Sequence, residues 1–330
     1  MSFPTLVGHQ RAKELLTRAV ARSTVHPGYL FSGPAGVGKR LAAVEFVQAL
    51  LCREAGTPAA PCGLCPSCKL AGGGAHPDVI TVTPDEKKKA KSIGIDQVRS
   101  LGEWLAQSPT YGQRKAAIID PADSLGAPAA NALLKTLEEP PRGRVIVLIA
   151  RRPGALPPTV RSRCQHVSFG SLTDDEVAEV LRRNNWPAQS ARQAAALAEG
   201  SPGAALERDS RLWQETAESV RTLFDALASG DRGAALAFAE AAGDARERAL
   251  ASLQAIIGFS RLAARQRLGD RGGGPDAVPA FLQRMGSGEI GGLLAGAVET
   301  HRRLDGDRPP NAKLALAVLL ASASGAGARQ

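Results

Sequence analysis

Two stretches of this 330-residue chain place reactive residue types at spacings that chemistry uses. The first is Gly33-Pro34-Ala35-Gly36-Val37-Gly38-Lys39, a G-x-x-x-x-G-K pattern. It follows the apolar run Tyr29-Leu30-Phe31-Ser32 and opens a helical stretch from about Lys39 to Leu51. In that setting glycines let successive backbone N–H groups point at phosphate, the helix N-terminus adds positive dipole, and the lysine meets the outer phosphates. The next position of a hydrolysing loop is Ser or Thr, whose hydroxyl holds Mg²⁺; here it is Arg40. A second acidic motif departs as well. Asp120-Pro121-Ala122-Asp123 has Pro121 where an ATPase follows the metal-binding Asp with a water-polarising Glu. Phosphoryl transfer depends on positioning and charge stabilisation, so losing both groups predicts loss of hydrolysis. Gly33, Gly36, Gly38 and Lys39 are therefore read as a degenerate phosphate loop. ATP hydrolysis by this chain is not expected, and ATP binding is left open.

The second stretch is Cys52, Cys62, Cys65 and Cys68, spaced C-x9-C-x2-C-x2-C. Four thiolates close a tetrahedral zinc site, and the C-x2-C steps have the bite of metal knuckles. Pro61, Gly63 and Pro66 supply tight turns between the ligands. An iron–sulfur cluster uses similar steps, but the long first gap and the lack of redox context count against it. Disulfides are disfavoured in a chain whose N-terminus shows no export signal. The expectation is structural Zn²⁺, with no open coordination position for catalysis. Cys164 stands apart and is read as a small buried thiol.

These groups need a frame. Tyr29–Ser32, Asp78–Val82, Ala116–Asp120, Val145–Ile149 and His166–Phe169 read as strands, separated by helical patterns over 39–51, from Asp96 as N-cap through Leu105, and over Ala129–Glu139 before Pro140-Pro141. Short apolar runs alternating with helices indicate a parallel sheet covered on both faces. Leu133, Leu134 and Leu137 form a stripe read as core. After Phe169 the strand signal ends. Thr173 and Glu176 form a capping box for a helix over Asp174–Arg183, a second helix runs Ser190–Glu199, and the remainder is rich in Ala, Leu and Arg. Breaks fall near Gly230, Gly243, Gly272–Gly274 and Pro309-Pro310, and the chain from Ser322 is expected to fray. The fold class is an α/β P-loop module over 1–170 with the zinc knuckle at about 52–68. A small helical unit over 171–207 and an all-α domain over 208–330 follow it.

Composition limits the partners. Residues 1–170 hold 22 Lys+Arg and 12 Asp+Glu, a net of +10, and residues 171–330 hold 19 and 20, a net of −1, giving the +9 of the whole chain. A field of that sign in one half attracts phosphates. Aromatic residues make up 4%, too few for base-stacking platforms as the main device. No stretch approaches the ~20 apolar residues of a membrane span, and cytoplasmic is the default location.

Several segments together resemble a known family. Val7-Gly8-His9-Gln10, His26-Pro27-Gly28-Tyr29-Leu30-Phe31, the cysteine insert, His76-Pro77-Asp78, Ala130-Asn131-Ala132-Leu133-Leu134-Lys135-Thr136-Leu137-Glu138-Glu139-Pro140-Pro141 and Thr159-Val160-Arg161-Ser162-Arg163-Cys164-Gln165 are similar to bacterial AAA+ clamp-loader subunits of DNA polymerase III, the delta-prime type above all. They cover essentially all of residues 1–170. The resemblance implies an AAA+ module, a lid and a helical collar that joins five subunits in an open ring. It implies gamma/tau and delta subunits, the sliding clamp and primed DNA as partners. It also implies that Arg163 of the Ser-Arg-Cys motif reaches the ATP of a neighbouring motor subunit, where a guanidinium supplied in trans neutralises charge on the γ-phosphate. Arg161 is a weaker candidate, since alternation along an extended segment would point it the same way.

Other departures from the motor pattern agree. Ala150-Arg151 falls at the sensor position, and Gly200-Ser201-Pro202-Gly203-Ala204 lacks the basic residue of a motor lid. His9, His26 and His76 lie in family-like segments, whereas His166 and His301 read as packing or surface residues. The Lys87–Lys91 run is a solvated loop; with Arg142, Arg144, Arg151 and Arg152 it forms the basic surface that would face DNA inside the ring. The expected function is a non-hydrolysing clamp-loader subunit, stator and arginine donor. The alternatives are an active gamma/tau-type motor ATPase and, from another class, a zinc-knuckle DNA-binding module.

Overall fold

The computed structural model describes residues 3–54, 60–85, 92–198, 200–206, 210–231, 233–269, 278–306 and 309–326. They form two compact units, Met1–Leu172 and Thr173–Gln330.

Among its described residues the first unit has five parallel strands: β1 (Gly28–Ser32), β2 (Val79–Val82), β3 (Lys115–Ile119), β4 (Arg144–Ala150) and β5 (Gln165–Ser168). Their order is β2-β3-β4-β1-β5. Side chains alternate across a strand, so each strand feeds two cores. Tyr29, Phe31, Ile118, Val147 and Ile149 face one layer, with α1 (Gln10–Ala21) and α2 (Lys39–Leu51) supplying Leu16, Phe46 and Val47. Leu30, Ile119, Ile146 and Leu148 face the other, with α4 (Ile95–Ala106) and α5 (Ala127–Glu138) supplying Val98, Leu101, Leu105, Leu133 and Leu137. The short α3 (Pro66–Gly72) lies in the cysteine insert and α6 (Pro158–Arg161) precedes β5. The expected α/β P-loop module is thus present, with helices on both faces of the sheet.

The second unit is entirely helical among the described residues. It comprises α7 (Asp174–Arg183), α8 (Ala188–Leu197), α9 (Pro202–Leu206), α10 (Ser210–Ala228), α11 (Gly233–Ala242), α12 (Arg246–Arg267), α13 (Ala280–Arg284), α14 (Ser287–Leu304) and α15 (Ala312–Ala326). Thr173 caps α7 by accepting from Glu176 N–H at 3.2 Å, and Glu176 accepts from Thr173 N–H at 2.9 Å. Phe224 of α10 packs edge-on to Phe259 of α12 and stacks on Phe281 of α13.

Local details differ from the sequence expectation. The N-cap of α4 is Gly94, whose N–H is accepted by Gln97 Oε1 at 3.0 Å, so Asp96 sits exposed inside the first turn. Helix α5 starts two residues before Ala129 because Pro128 fits a first turn, where its missing N–H costs nothing. Helix α15 runs through Ser322 to Ala326, and the remainder of the stretch expected to fray lies outside the described residues. The Lys87–Lys91 run and Gly272–Gly274 lie outside the described residues.

Candidate functional site

The register sets the geometry of the site. Ser32 of β1 is level with Ala150 of β4, and Ile119 of β3 with Leu148, so the loop after β1, Asp120 and Arg151 all emerge at the carboxyl end of the sheet. Ligands of open parallel sheets bind at that end. The loop after β1 can lie there only because residue 33 is glycine. Its φ is +147°, and a Cβ on it would come 2.0 Å from the Phe169 carbonyl oxygen. Gly36 and Gly38 also have positive φ, and α2 begins directly after Gly38. His9 Nε2 lies 2.8 Å from the Val37 carbonyl oxygen, tying the start of α1 to the loop. His9 lies in a family-like segment, but its type and spacing do not reveal this contact.

The charged groups of the loop are engaged with the protein. Buried Lys39 donates from Nζ to the Gly33 carbonyl at 2.7 Å and to the Pro34 carbonyl. Burial lowers its pKa, against the field of Asp120. Arg40 Nη1 stands 3.5 Å from Asp120 Oδ2. Residue 40 is the position of the Mg²⁺-holding hydroxyl in a hydrolysing loop; here its side chain pairs with the acid of the second motif. Burial nonetheless raises the Asp120 carboxyl above the usual Asp value, outweighing Arg40 and Lys39. Asp123 is a structural acid: its carboxylate accepts from Arg151 N–H at 2.7 Å and Arg152 N–H at 2.9 Å, anchoring the chain as it leaves β4.

The cysteine cluster forms as the spacing predicts. The Sγ atoms of Cys52, Cys62, Cys65 and Cys68 all lie within 4.8 Å of one another. Cys62 Sγ and Cys68 Sγ are 3.9 Å apart, close to the ~3.8 Å edge of a tetrahedron with Zn–S bonds of ~2.3 Å. Cys65 N–H donates to Cys62 Sγ at 3.3 Å, and Cys68 N–H to Cys65 Sγ at 3.4 Å. Such donors stabilise thiolate ligands. The residues present therefore fit a four-thiolate metal site, and these four cysteines would hold the ion.

The cluster is joined to the sheet by a buried chain of hydrogen bonds that sequence reasoning missed. His76 Nδ1 accepts from Asp78 N–H at 3.0 Å, so the ring proton sits on Nε2, 3.0 Å from Ser67 Oγ. Ser67 Oγ in turn donates to the Leu51 carbonyl at 3.0 Å. Burial holds the His76 pKa down, consistent with a neutral ring. Asp78 accepts from the N–H groups of Thr110, Tyr111 and Gly112 at 2.6, 2.7 and 3.1 Å. Burial alone would raise its carboxyl. The three backbone donors, helped by the His76 ring once it is protonated in acid, outweigh it and leave the pKa below the ordinary Asp value.

Arg163 lies at the other end of the sheet. Gln165 is level with Tyr29 in a parallel pair, so Arg163 stands beside the amino end of β1. The loop begins six residues further along β1, roughly 20 Å away at ~3.3 Å per residue. An arginine side chain does not span that distance. The guanidinium donates from Nη1 to the Thr159 carbonyl at 3.0 Å and pairs through Nη2 with Glu138 Oε1 at 2.7 Å. Cys164 is part-buried, its thiol pushed up to about 12 by burial. Arg161 is not on an extended segment: Pro157-Pro158 start the helix α6, which ends at Arg161, and alternation does not align it with Arg163. Arg144 also departs from expectation. It is buried, and it donates to the Leu105 and Gln107 carbonyls, both at 2.7 Å. A basic residue at the C-terminus of α4 satisfies carbonyls left open there and does not face solvent.

The family model described as "DNA polymerase III, delta subunit" matches residues 8–173, half of the chain. The chain belongs to this family. The delta-subunit match includes the glycine loop, the four cysteines and the Arg163 segment. The chain is 39% identical over 176 residues to the DNA polymerase III subunit delta′ of Pseudomonas aeruginosa, covering 53% of each chain. It is 35% identical over 175 residues to the subunit tau of Bacillus subtilis, covering 53% of this chain and 30% of tau. The chain thus spans about half the length of the delta′ relative it matches and less of tau. Among solved structures it is similar to a DNA polymerase III gamma subunit-related protein of Thermotoga maritima, with a TM-score of 0.51 and 20% identity, covering 96% of this chain and 99% of that one. That likeness concerns the fold.

Proposed function

We propose that this chain is a non-hydrolysing subunit of the DNA polymerase III clamp loader, serving as stator and as donor of Arg163 to the ATP site of a neighbouring subunit. The observation that carries the reading is the placement of Arg163 at the end of the sheet opposite its own phosphate loop. A guanidinium there serves a phosphate only if that phosphate belongs to another chain. Its role would be to neutralise charge developing on the γ-phosphate, with the planar fork matching the phosphate oxygens. The altered loop supports the division of labour. Arg40 occupies the place of a metal-holding hydroxyl and pairs with Asp120, and Pro121 carries no group that could orient water. Gly33, Gly36, Gly38 and Lys39 remain the cradle for any nucleotide that this chain itself holds.

In this reading Cys52, Cys62, Cys65 and Cys68 hold a structural Zn²⁺. Residues 171–207 act as lid and 208–330 as collar in a five-subunit ring with gamma/tau and delta subunits. The assembly loads the sliding clamp onto primed DNA in the cytoplasm. The similarity to tau favours one other reading, an active motor ATPase. The deciding experiment reconstitutes the loader with Arg163→Ala. DNA-stimulated ATP turnover and clamp loading are expected to fall by about 10³-fold or more at the shared site, the range of trans arginines. Unchanged turnover would falsify the donor role.

A further inference from the structure

We propose that Glu138 is the positioning residue of Arg163: it holds the guanidinium as a neutral ion pair until a neighbour's phosphate competes for it. This rests on the donor reading of Arg163 above and adds a residue that acts through it. The contact is specific. Glu138 Oε1 lies 2.7 Å from Nη2, while the Thr159 carbonyl takes Nη1 at 3.0 Å, so two donors of the five-donor fork are engaged and three stay available. Both side chains remain partly exposed, Arg163 at 37% and Glu138 at 48%, so an incoming anion has access to the pair.

The placement of Glu138 runs against local electrostatics. It is the last residue of α5 and is followed by Glu139 at the C-cap. The carbonyl end of a helix carries partial negative charge and favours cations, so two consecutive carboxylates there are unfavourable on local grounds. Arg163 offsets one of them. Departures from local rules tend to be retained at functional positions. The convergence also depends on β1. A Cβ at Gly28 would lie 2.8 Å from Leu137 Cδ2, 3.2 Å from the Arg163 carbonyl oxygen and 3.2 Å from Cys164 Sγ. Glycine at that one position lets the end of α5 and the Arg163 segment close on each other.

An exposed pair of this kind is weak, and a multiply charged phosphate outcompetes a single carboxylate for a guanidinium. Glu138 therefore restrains the arginine in the free subunit and yields it in the ring, raising the ATP concentration needed to engage it. The test compares loaders reconstituted with unsubstituted chain, Glu138→Gln and Glu138→Ala, the second variant guarding against a folding defect in the first. Both substitutions are expected to lower KM for ATP by about two- to fivefold, the range set by one surface ion pair, without loss of kcat. In the isolated chain, phenylglyoxal should modify Arg163 correspondingly faster, read by mass spectrometry. Unchanged KM and labelling, or a fall in kcat at unchanged KM, would overturn the role of Glu138 while leaving that of Arg163 intact. An Arg163→Ala loader with full ATP turnover would remove both.

Discussion

Residue by residue, the site is governed by which charges the fold buries and which donors it gives them. Asp78 is the clearest instance, a fully buried carboxylate held by three backbone N–H groups. Its folded pKa lies below the ordinary value, so it contributes stability that is complete above the unfolded Asp pKa of ~3.9 and is lost as pH falls through the folded value. Asp78→Asn replaces one acceptor by an NH₂ facing backbone donors. We expect a loss of about 1.5–3 kcal/mol at pH 7, as for hydrogen bonds to a charged group, with a smaller loss at pH 3. Urea unfolding at the two pH values measures it; equal losses at both would contradict the assignment. Lys39 and Asp120 show the opposite balance, since burial there moves each pKa toward the neutral form despite opposite charges nearby.

Elements set the next level of control. Helix α3 has seven residues, too few to hold itself in water. Its anchors are Cys65 and Cys68, the Ser67–His76 bond, and Gln48 Nε2 donating to the Cys68 carbonyl at 2.8 Å. If the four thiolates hold Zn²⁺, metal binding supplies folding free energy to this insert. Chelation is then expected to release one zinc per chain and to speed amide exchange over residues 62–74, while β3 and β4, buried along their whole length, stay protected. Metal analysis and hydrogen exchange on the same sample test this, and unchanged exchange after metal loss would count against a structural ion. The elements were largely legible in the sequence. All five strands and the α2 boundaries follow from short apolar runs and the glycine loop. Asp96 is not the cap because the helix already starts at Ile95, with Gln97 Oε1 accepting from the Gly94 N–H, and a strong capping residue type does not by itself fix a boundary.

For the molecule as a whole, the charge split takes on structure. The +10 of residues 1–170 includes cations spent internally. Arg144 is committed to α4 carbonyls, buried Lys115 donates to the Trp104 carbonyl at 2.9 Å, and Lys39 donates to its own loop. Less of the excess is left on the surface than the count suggests. On the proposed reading, the phosphate loop at one end of the sheet and Arg163 at the other belong to a subunit that assists a neighbour. Purified chain is accordingly expected to show no ATP turnover above background, with no change in Lys39→Ala. Steady turnover abolished by that substitution would establish a motor instead.

Residue types and spacing alone carry the nucleotide-loop pattern, the four-cysteine spacing, the alternation of strand and helix, and the clamp-loader resemblance. Each of these is read from contiguous segments of the chain. The fold alone brings Arg163 to the end of the sheet opposite its own loop, sets Glu138 against it, makes Asp123 the anchor of the chain after β4 and buries Arg144. Each depends on the register and order of parallel strands. Parallel strands are joined by crossovers of a dozen or more residues, so groups far apart in the chain become neighbours and no local pattern records which ones will meet.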